Sequence, residues 1–359
     1  MKELITKKQK KLILVIPYCK KRESDRFKRM LECAIQGVFG NVETIRDMED
    51  FFVKASKGYF RDKKIIFAVH LGESGVNLEY YRLLQQIRLD LNMFEGAVGG
   101  IIIDGEGELF TKNLGRELAF AANMSGMTFP GKPLVEATAD LYNYNIQAKN
   151  LGTSNMQAYM ESARKLFIKV LEFEKLDKAK KILALHSGQR GKSNSITLWD
   201  MAKEHISGEI QEISLRNGEV FDCQGCGYEV CKNFGERDKC FYGGVITKSV
   251  YPTILEVDAV VLICPNYNDA LGANLTAFVN RLTALFITKD FSKKKVYGIV
   301  VSGYSGGDIV GGQIISGLNM NKAFVLPPRA ILTETANNPG SIRERHGIME
   351  KAAIFGSTI

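Results

Sequence analysis

Short apolar runs bounded by polar residues alternate along the chain with longer stretches in which apolar residues recur every three or four positions. The first pattern predicts buried strands and the second predicts amphipathic helices. Their alternation from end to end predicts an α/β fold with parallel sheets. In the first part of the chain, strands are expected at 12–16, 64–70, 97–104 and 133–137, with helices at 24–38, 77–91 and 111–124. A helix beginning at Ser154 and ending near Lys175 reads as a connector. The rhythm then restarts, with strands at 181–186, 209–215, 259–264, 296–302 and 323–326 and helices at 194–205, 273–286 and 309–318.

The two halves read as distant copies. Ile65–His70 and Val260–Pro265 each precede an Asn-containing loop and a helix, and Val98–Gly105 corresponds to Tyr297–Gly303 some thirty residues later. Met127–Pro130 is then echoed by Lys322–Val325. The expected architecture is a doubly wound parallel sheet present in two tandem copies. Residues 1–150 form the first domain, 151–178 a helical connector and 179–359 the second domain.

Composition narrows the function classes. At 45% hydrophobic and 25% charged, the 359 residues have the make-up of an ordinary globular protein. Residues 1–30 hold eleven Lys or Arg against three acids, which accounts for the whole net charge of +8. The other 329 residues are balanced, so the charge reads as a solvated basic leader and no nucleic-acid partner is expected. No apolar run approaches the roughly 20 residues that a membrane span needs. The N-terminal segment lacks the layout of a secretion signal, so a cytoplasmic location without membrane contact is expected.

In open parallel sheets, ligands bind beyond the carboxyl ends of the strands. After the strand at 181–186 comes Ser187-Gly188-Gln189-Arg190-Gly191-Lys192-Ser193-Asn194-Ser195, leading directly into a helix. Glycines for tight turns, hydroxyl and amide donors, cations and a helix N-terminus are what a phosphate cradle requires. The same segment also reads as a plain polar loop with Ser193 or Asn194 as helix cap. Two further strand ends carry compatible chemistry. Pro265-Asn266-Tyr267-Asn268-Asp269 offers an amide and an aromatic face, and Gly303-Tyr304-Ser305-Gly306 lets backbone amides approach a ligand closely. The three loops together suit a phosphorylated planar heterocycle. In the first half, Leu71–Gly75 and Gly105–Glu108 bring three glutamates that would repel a phosphate, so that copy reads as degenerate and used for packing.

These loops resemble the NADPH-dependent FMN reductase group of flavodoxin-like proteins. The first is similar to that family's Gly-Ser-x-Arg-x-x-Ser-Asn-Thr phosphate loop. Cys264–Tyr267 with Leu275–Leu282 is similar to its Pro-x-Tyr loop and the helix ending in Asp-Arg-Leu, although Asn280 stands in place of Asp and His186-Ser187-Gly188 in place of Gly-Ser-Pro. The likeness covers about residues 180–330. It implies FMN, with its phosphate on Ser187, Gln189, Arg190, Ser193, Asn194 and Ser195 and its ring system against the second and third loops, and NAD(P)H as electron donor. His186 reads as a strand-end residue rather than a catalyst, since the flavin carries the chemistry.

Seven cysteines are present, and four of them, Cys223, Cys226, Cys231 and Cys240, fall within 18 residues. Without a secretion signal this grouping speaks for metal or thiol chemistry rather than a disulfide framework. Thiolates at C-x2-C-x4-C-x8-C spacing can converge on one metal centre, placed beside the expected flavin edge. The segment resembles that of iron-sulfur flavoproteins, which implies a [4Fe-4S] cluster; zinc and unligated redox thiols remain the other readings. Cys19, Cys33 and Cys264 read as inert core residues.

Three functions are therefore in view. The first is a flavin-dependent NAD(P)H oxidoreductase acting on a small-molecule or protein electron acceptor, as a homo-oligomer. The second is an iron-sulfur flavoprotein electron carrier without its own substrate site. The third is a non-redox nucleotide-sensing module.

Overall fold

A computed structural model describes residues 11–18, 23–38, 41–72 and 74–359. The basic leader at 1–10 and 20–22, Cys19 and Glu73 lie outside the described residues. The chain divides into two compact units, Met1–Glu174 and Lys175–Ile359.

The first unit contains β1 (Leu12–Val15), α1 (Asp25–Gln36), β2 (Val42–Ile45), α2 (Met48–Ser56), β3 (Lys64–Leu71), α3 (Leu78–Leu89), β4 (Val98–Gly105), α4 (Thr111–Met124), β5 (Leu134–Ala137), α5 (Asn145–Leu151) and α6 (Asn155–Glu172). The second contains β6 (Lys181–His186), α7 (Asn194–Lys203), β7 (Glu209–Ser214), α8 (Tyr228–Gly235), α9 (Tyr251–Glu256), β8 (Ala259–Asn266), α10 (Ala273–Arg281), α11 (Thr283–Phe286), β9 (Lys295–Ser302), α12 (Gly307–Ile314), β10 (Ile331–Thr335) and α13 (Ile348–Thr358).

Both sheets are parallel and five-stranded. Their orders are β2-β1-β3-β4-β5 and β10-β9-β8-β6-β7, and the second read from its other edge has the same 2-1-3-4-5 winding as the first. That is the flavodoxin-like doubly wound order, with its switch point between the first and third strands of each copy. The central strands β3, β4, β8 and β9 are buried nearly throughout, as parallel strands covered by helices on both faces must be. The echo between 127–130 and 322–325 is structural: Thr128 bridges to Val98 at the start of β4, and Val325 bridges to Lys295 at the start of β9.

Three expectations are corrected. The edge strand β2 and the helix α2 were not anticipated, because Val-Glu-Thr-Ile is only four residues long and half exposed, which gives little apolar signal. Residues 323–326 make only the bridge at Val325, and the fifth strand of the second sheet is β10, eight residues later than the apolar run implied. The helix read as a connector is α6, and it belongs to the first unit's core. Ala158, Tyr159, Ala163, Leu166, Phe167 and Val170 join the buried cluster that holds Leu12, Phe27 and Ile66. A Cβ on Gly100 of β4 would lie within 2.7–3.1 Å of Ile66, Val170 and Leu166, so the absent side chain is what lets α6 seat on the sheet. A Ser154–Gln157 capping box fixes its start.

Candidate functional site

At the carboxyl edge of the second sheet, four loops interlock. The first, between β6 and α7, is closed by the amides of Lys192 and Ser193 donating to Gln189 O at 3.2 and 3.0 Å. Gly191 takes a φ of +80° in open space. Ser193 is the N-cap of α7, its Oγ accepting from Ile196 N at 3.5 Å and standing 3.0 Å from Ser195 Oγ. The amides of Asn194 and Ser195 lie in the first helical turn, where intrahelical acceptors are lacking. Gly188 packs so closely on Ser193 that a Cβ there would come within 2.9 Å of its Oγ.

Pro265 and Asn266 are the last residues of β8, paired with Val301 and Ser302, rather than loop residues. Asn266 Nδ2 donates to Ser302 Oγ (3.1 Å), Ser305 O (2.9 Å) and Asp269 Oδ1 (3.2 Å), which ties the second loop to the third. Its own Oδ1 is buried without a partner among the described residues. Asn268 and Asp269 both take left-handed backbone, at φ 54° and 56°. Gly306 has φ +82°, and a Cβ there would fall 2.0 Å from Asp269 Oδ1, so only glycine fits this close approach. Tyr267 and Tyr304 project from these loops at 62% and 83% exposure and supply the exposed aromatic faces of the site. Ser187 faces the second loop, its Oγ 3.4 Å from where a Cβ on Gly272 would stand.

The fourth loop, 336–340, was missed from the sequence because β10 was misplaced. Asn194 Nδ2 donates to Ala336 O (3.1 Å) and Asn338 O (2.8 Å), and Asn194 Oδ1 accepts from Gly340 N (2.9 Å). Asn337 Nδ2 donates to Tyr304 OH at 3.1 Å. The Asn194 side chain is thus a clasp between loops instead of a donor turned to a ligand. The signal for it was Asn-Asn-Pro-Gly, a turn sequence following a β-rich run. Arg190 also departs from expectation: its guanidinium is paired with Asp200 of α7 (3.1 Å) and with Glu212 of β7. His186, at the end of β6, is buried with Nδ1 unpartnered among the described residues, and burial holds its imidazole below the ordinary value.

The equivalent edge of the first unit is filled by its own side chains. Asp104, fully buried at the end of β4, accepts from Arg26 Nε (3.1 Å), Arg26 Nη2 (2.8 Å) and Tyr159 OH (2.9 Å). The remaining Arg26 donors reach Thr138 O, Ala139 O and Gly105 O at 2.6–3.0 Å, so all five of its N–H groups are used. His70 stands beside this pair with Nε2 3.6 Å from Glu106 Oε1.

The four clustered cysteines line a single cavity of about 280 Å³, with Phe234, Phe241, Tyr242 and Arg281 also in its wall. Cys223 and Cys226 precede α8, Cys231 lies on it and Cys240 follows. Burial, then the neighbouring Cys240, Cys223 and Cys226, push the Cys231 thiol up. The cavity is held by α10 and by the turn that follows α11: Asn280 donates to Asp222 (3.0 Å), Arg281 to Phe221 O and Gly243 O, and Thr288 to Gly235 O (3.1 Å). A second cavity of about 400 Å³ shares Cys223, Asn280 and Thr283 and extends to Lys322. None of the loop residues lines the cavity, which sits at the C-terminal end of α10, whereas the second loop leads into its N-terminus. Nine helical residues separate those ends by about 13 Å. Of the other cysteines, Cys264 is buried, its thiol pushed up by burial, while Cys33 is half-buried on α1 rather than in the core.

Among the described residues no three His, Cys, Asp or Glu side chains are grouped closely enough to hold a metal ion. A tetrahedral zinc would draw its sulfurs to within about 3.8 Å of one another. Among the described residues no helix is long and apolar enough to cross a membrane.

Residues 180–338 match the NADPH-dependent FMN reductase family, and the second unit resembles that family over most of its length. Solved structures similar to the chain include RosB with bound 8-demethyl-8-formylriboflavin-5'-phosphate (16% identity, 50% of this chain and 76% of that one, TM-score 0.39). Another is azoreductase AzrA (13% identity, 50% and 100%, TM-score 0.34). A third is the NAD(P)H:quinone oxidoreductase from Methanothermobacter marburgensis (15% identity, 49% and 94%, TM-score 0.34). No curated protein matches the chain significantly in sequence.

Proposed function

We propose that the second unit is an FMN-dependent oxidoreductase that takes electrons from NAD(P)H and delivers them to a small-molecule or protein acceptor. The observation that carries this reading is the convergence of helix-start amides, glycine-built turns and two exposed tyrosines at the switch point of one sheet, with the family match over the same residues. When bound, FMN supplies hydride acceptance and onward electron donation. The chain's part is to bind and orient. The first loop and the start of α7 would receive the phosphate, Tyr267 and Tyr304 would flank the ring, and the Asn266–Asp269–Gly306 lacing would hold those two loops in register. Assembly with further copies of the chain is part of the proposal. To test it, the full chain is purified without oxygen and its flavin content, native mass and steady-state NADH and NADPH oxidation are measured. A chain that neither contains FMN nor takes it up would refute the flavin reading. Bound FMN without nicotinamide oxidation in the presence of quinone or dye acceptors would leave the electron-carrier or sensing alternatives.

The thiol cavity favours a second redox centre. Four thiols around one space about nine water volumes in size are a ligand set that an iron–sulfur cluster takes, as a zinc ion does. Cys223, Cys226, Cys231 and Cys240 would hold it. Iron and acid-labile sulfide measured in the same preparation test this. Iron should fall in Cys231→Ser and stay in Cys33→Ser, and a wild-type chain free of iron would end the cluster reading.

A further inference from the structure

We infer that Arg281 is the buried counter-charge of the four-thiol centre and raises its reduction potential, an inference that rests on the cluster reading above. Arg281 lies in the cavity wall with all four cysteines. The residue is 2% exposed. Its Nη1 and Nη2 donate to Phe221 O (3.2 Å) and Gly243 O (2.8 Å), two neutral carbonyls of the segment that carries the cysteines. Its Nε–H has no acceptor among the described residues. The exposed carboxylate of Asp222, which accepts from Asn280 Nδ2 at 3.0 Å and Cys223 N–H at 2.7 Å, is near enough to feel the Arg281 charge but makes no hydrogen bond to it.

A buried guanidinium whose hydrogen bonds go only to carbonyls, with one solvent-screened carboxylate near it, is stabilised by a further anion. Four metal-bound thiolates would be such an anion, in the cavity whose wall this cation shares. A centre ligated by four thiolates is negative before reduction and more so after. A fixed positive charge, and an N–H free to point at sulfur, therefore favour the reduced form. The electron comes from reduced flavin in the proposed function and from dithionite in the test.

The experiment uses the full chain, purified without oxygen, as wild type, Arg281→Gln and Arg281→Lys. Iron, sulfide and flavin per chain are measured, and the midpoint of the iron signal is followed by electron paramagnetic resonance during dithionite titration. Arg281→Gln should keep its flavin and lower the reduction constant about tenfold, which is about 59 mV for one electron. Arg281→Lys, which keeps the charge and loses the fork, should fall between Gln and wild type. Iron-loaded Arg281→Gln with the wild-type midpoint would overturn the inference while leaving the cluster reading intact, whereas wild type without iron ends both. Should Arg281→Gln lose iron through loosening of the segment, the neutral Arg281→Met, which keeps the apolar stem, decides: an iron-loaded variant with a lowered midpoint supports the inference and one with an unchanged midpoint overturns it.

Discussion

Asn194→Ala separates a clasp from a phosphate contact. The family pattern implies that this residue faces the ligand, whereas its side chain spends three hydrogen bonds on loop 336–340. At a net value of about 1 kcal/mol each, their loss costs about 3 kcal/mol. With a urea m-value of about 2 kcal/mol/M for a domain of this size, the unfolding midpoint should fall by about 1.5 M. Trp199, the single tryptophan, is fully buried on the same helix five residues on, so its fluorescence reports the second unit alone. FMN and riboflavin affinities should fall by the same factor, because a displaced loop does not distinguish the phosphorylated ligand from the unphosphorylated one. An unchanged midpoint with FMN weakened tenfold or more relative to riboflavin would refute the clasp and restore Asn194 to the phosphate.

Three other substitutions probe the same edge. Asp200→Asn releases Arg190 from one of its two carboxylates; an exposed pair is worth roughly 0.2–1 kcal/mol, so FMN binding should tighten up to about fivefold in a titration that leaves riboflavin unchanged. Gly306→Ala forces an L-residue into left-handed backbone at about 1–2 kcal/mol and drives a Cβ onto Asp269, so both flavins should bind more weakly, and wild-type affinity would show that the lacing is dispensable. Burial holds His186 below its ordinary value, so the unfolded chain takes up the proton first as pH falls. The second unit should therefore lose stability as pH falls through the unfolded value of about 6.5 and on to the lower folded one, and His186→Asn should flatten that slope in Trp199-monitored melts.

The alternation of strands and helices was legible because buried parallel strands are nearly continuous apolar runs, and six of the ten strands announce themselves this way, while the short β5 and the edge strand β7 show only alternating apolar positions. What escaped were β2, whose polar residues face solvent, and β10, where Ile-Leu-Thr-Glu-Thr is overshadowed by the more apolar Ala-Phe-Val-Leu just before it. The position of the loops was readable from the strand ends, but the direction of their side chains was not. Asn194 and Arg190 are both polar residues in the right loop, and only tertiary neighbours 142 residues away or across the edge of α7 decide that each is committed to protein. The connector reading of α6 failed for a related reason: its apolar stripe is modest, and the room made for it by Gly100 lies on another element.

The two copies show how one fold opens or closes its switch point. Aligning β4 with β9 on their bridges to Thr128 and Val325 makes Val301 the counterpart of Asp104, and the register partners His70 and Pro265 correspond in turn. The first helices begin alike, Ser24-Asp25-Arg26 against Ser193-Asn194-Ser195, with serine as N-cap in both. Each helix start ties down the loop after the fifth strand, through Arg26 to Thr138 and Ala139 in one copy and through Asn194 to Ala336 and Asn338 in the other. The difference is charge. Arg26 needs a buried anion and finds Asp104, so the first unit carries a carboxylate that already occupies its cation and would repel an incoming phosphate. Asn194 performs the same tie with a neutral amide and asks for no acid on the sheet, which leaves Val301 apolar and the amides of α7 for a ligand. The neutral clasp is therefore the condition under which the second copy can take an anionic cofactor.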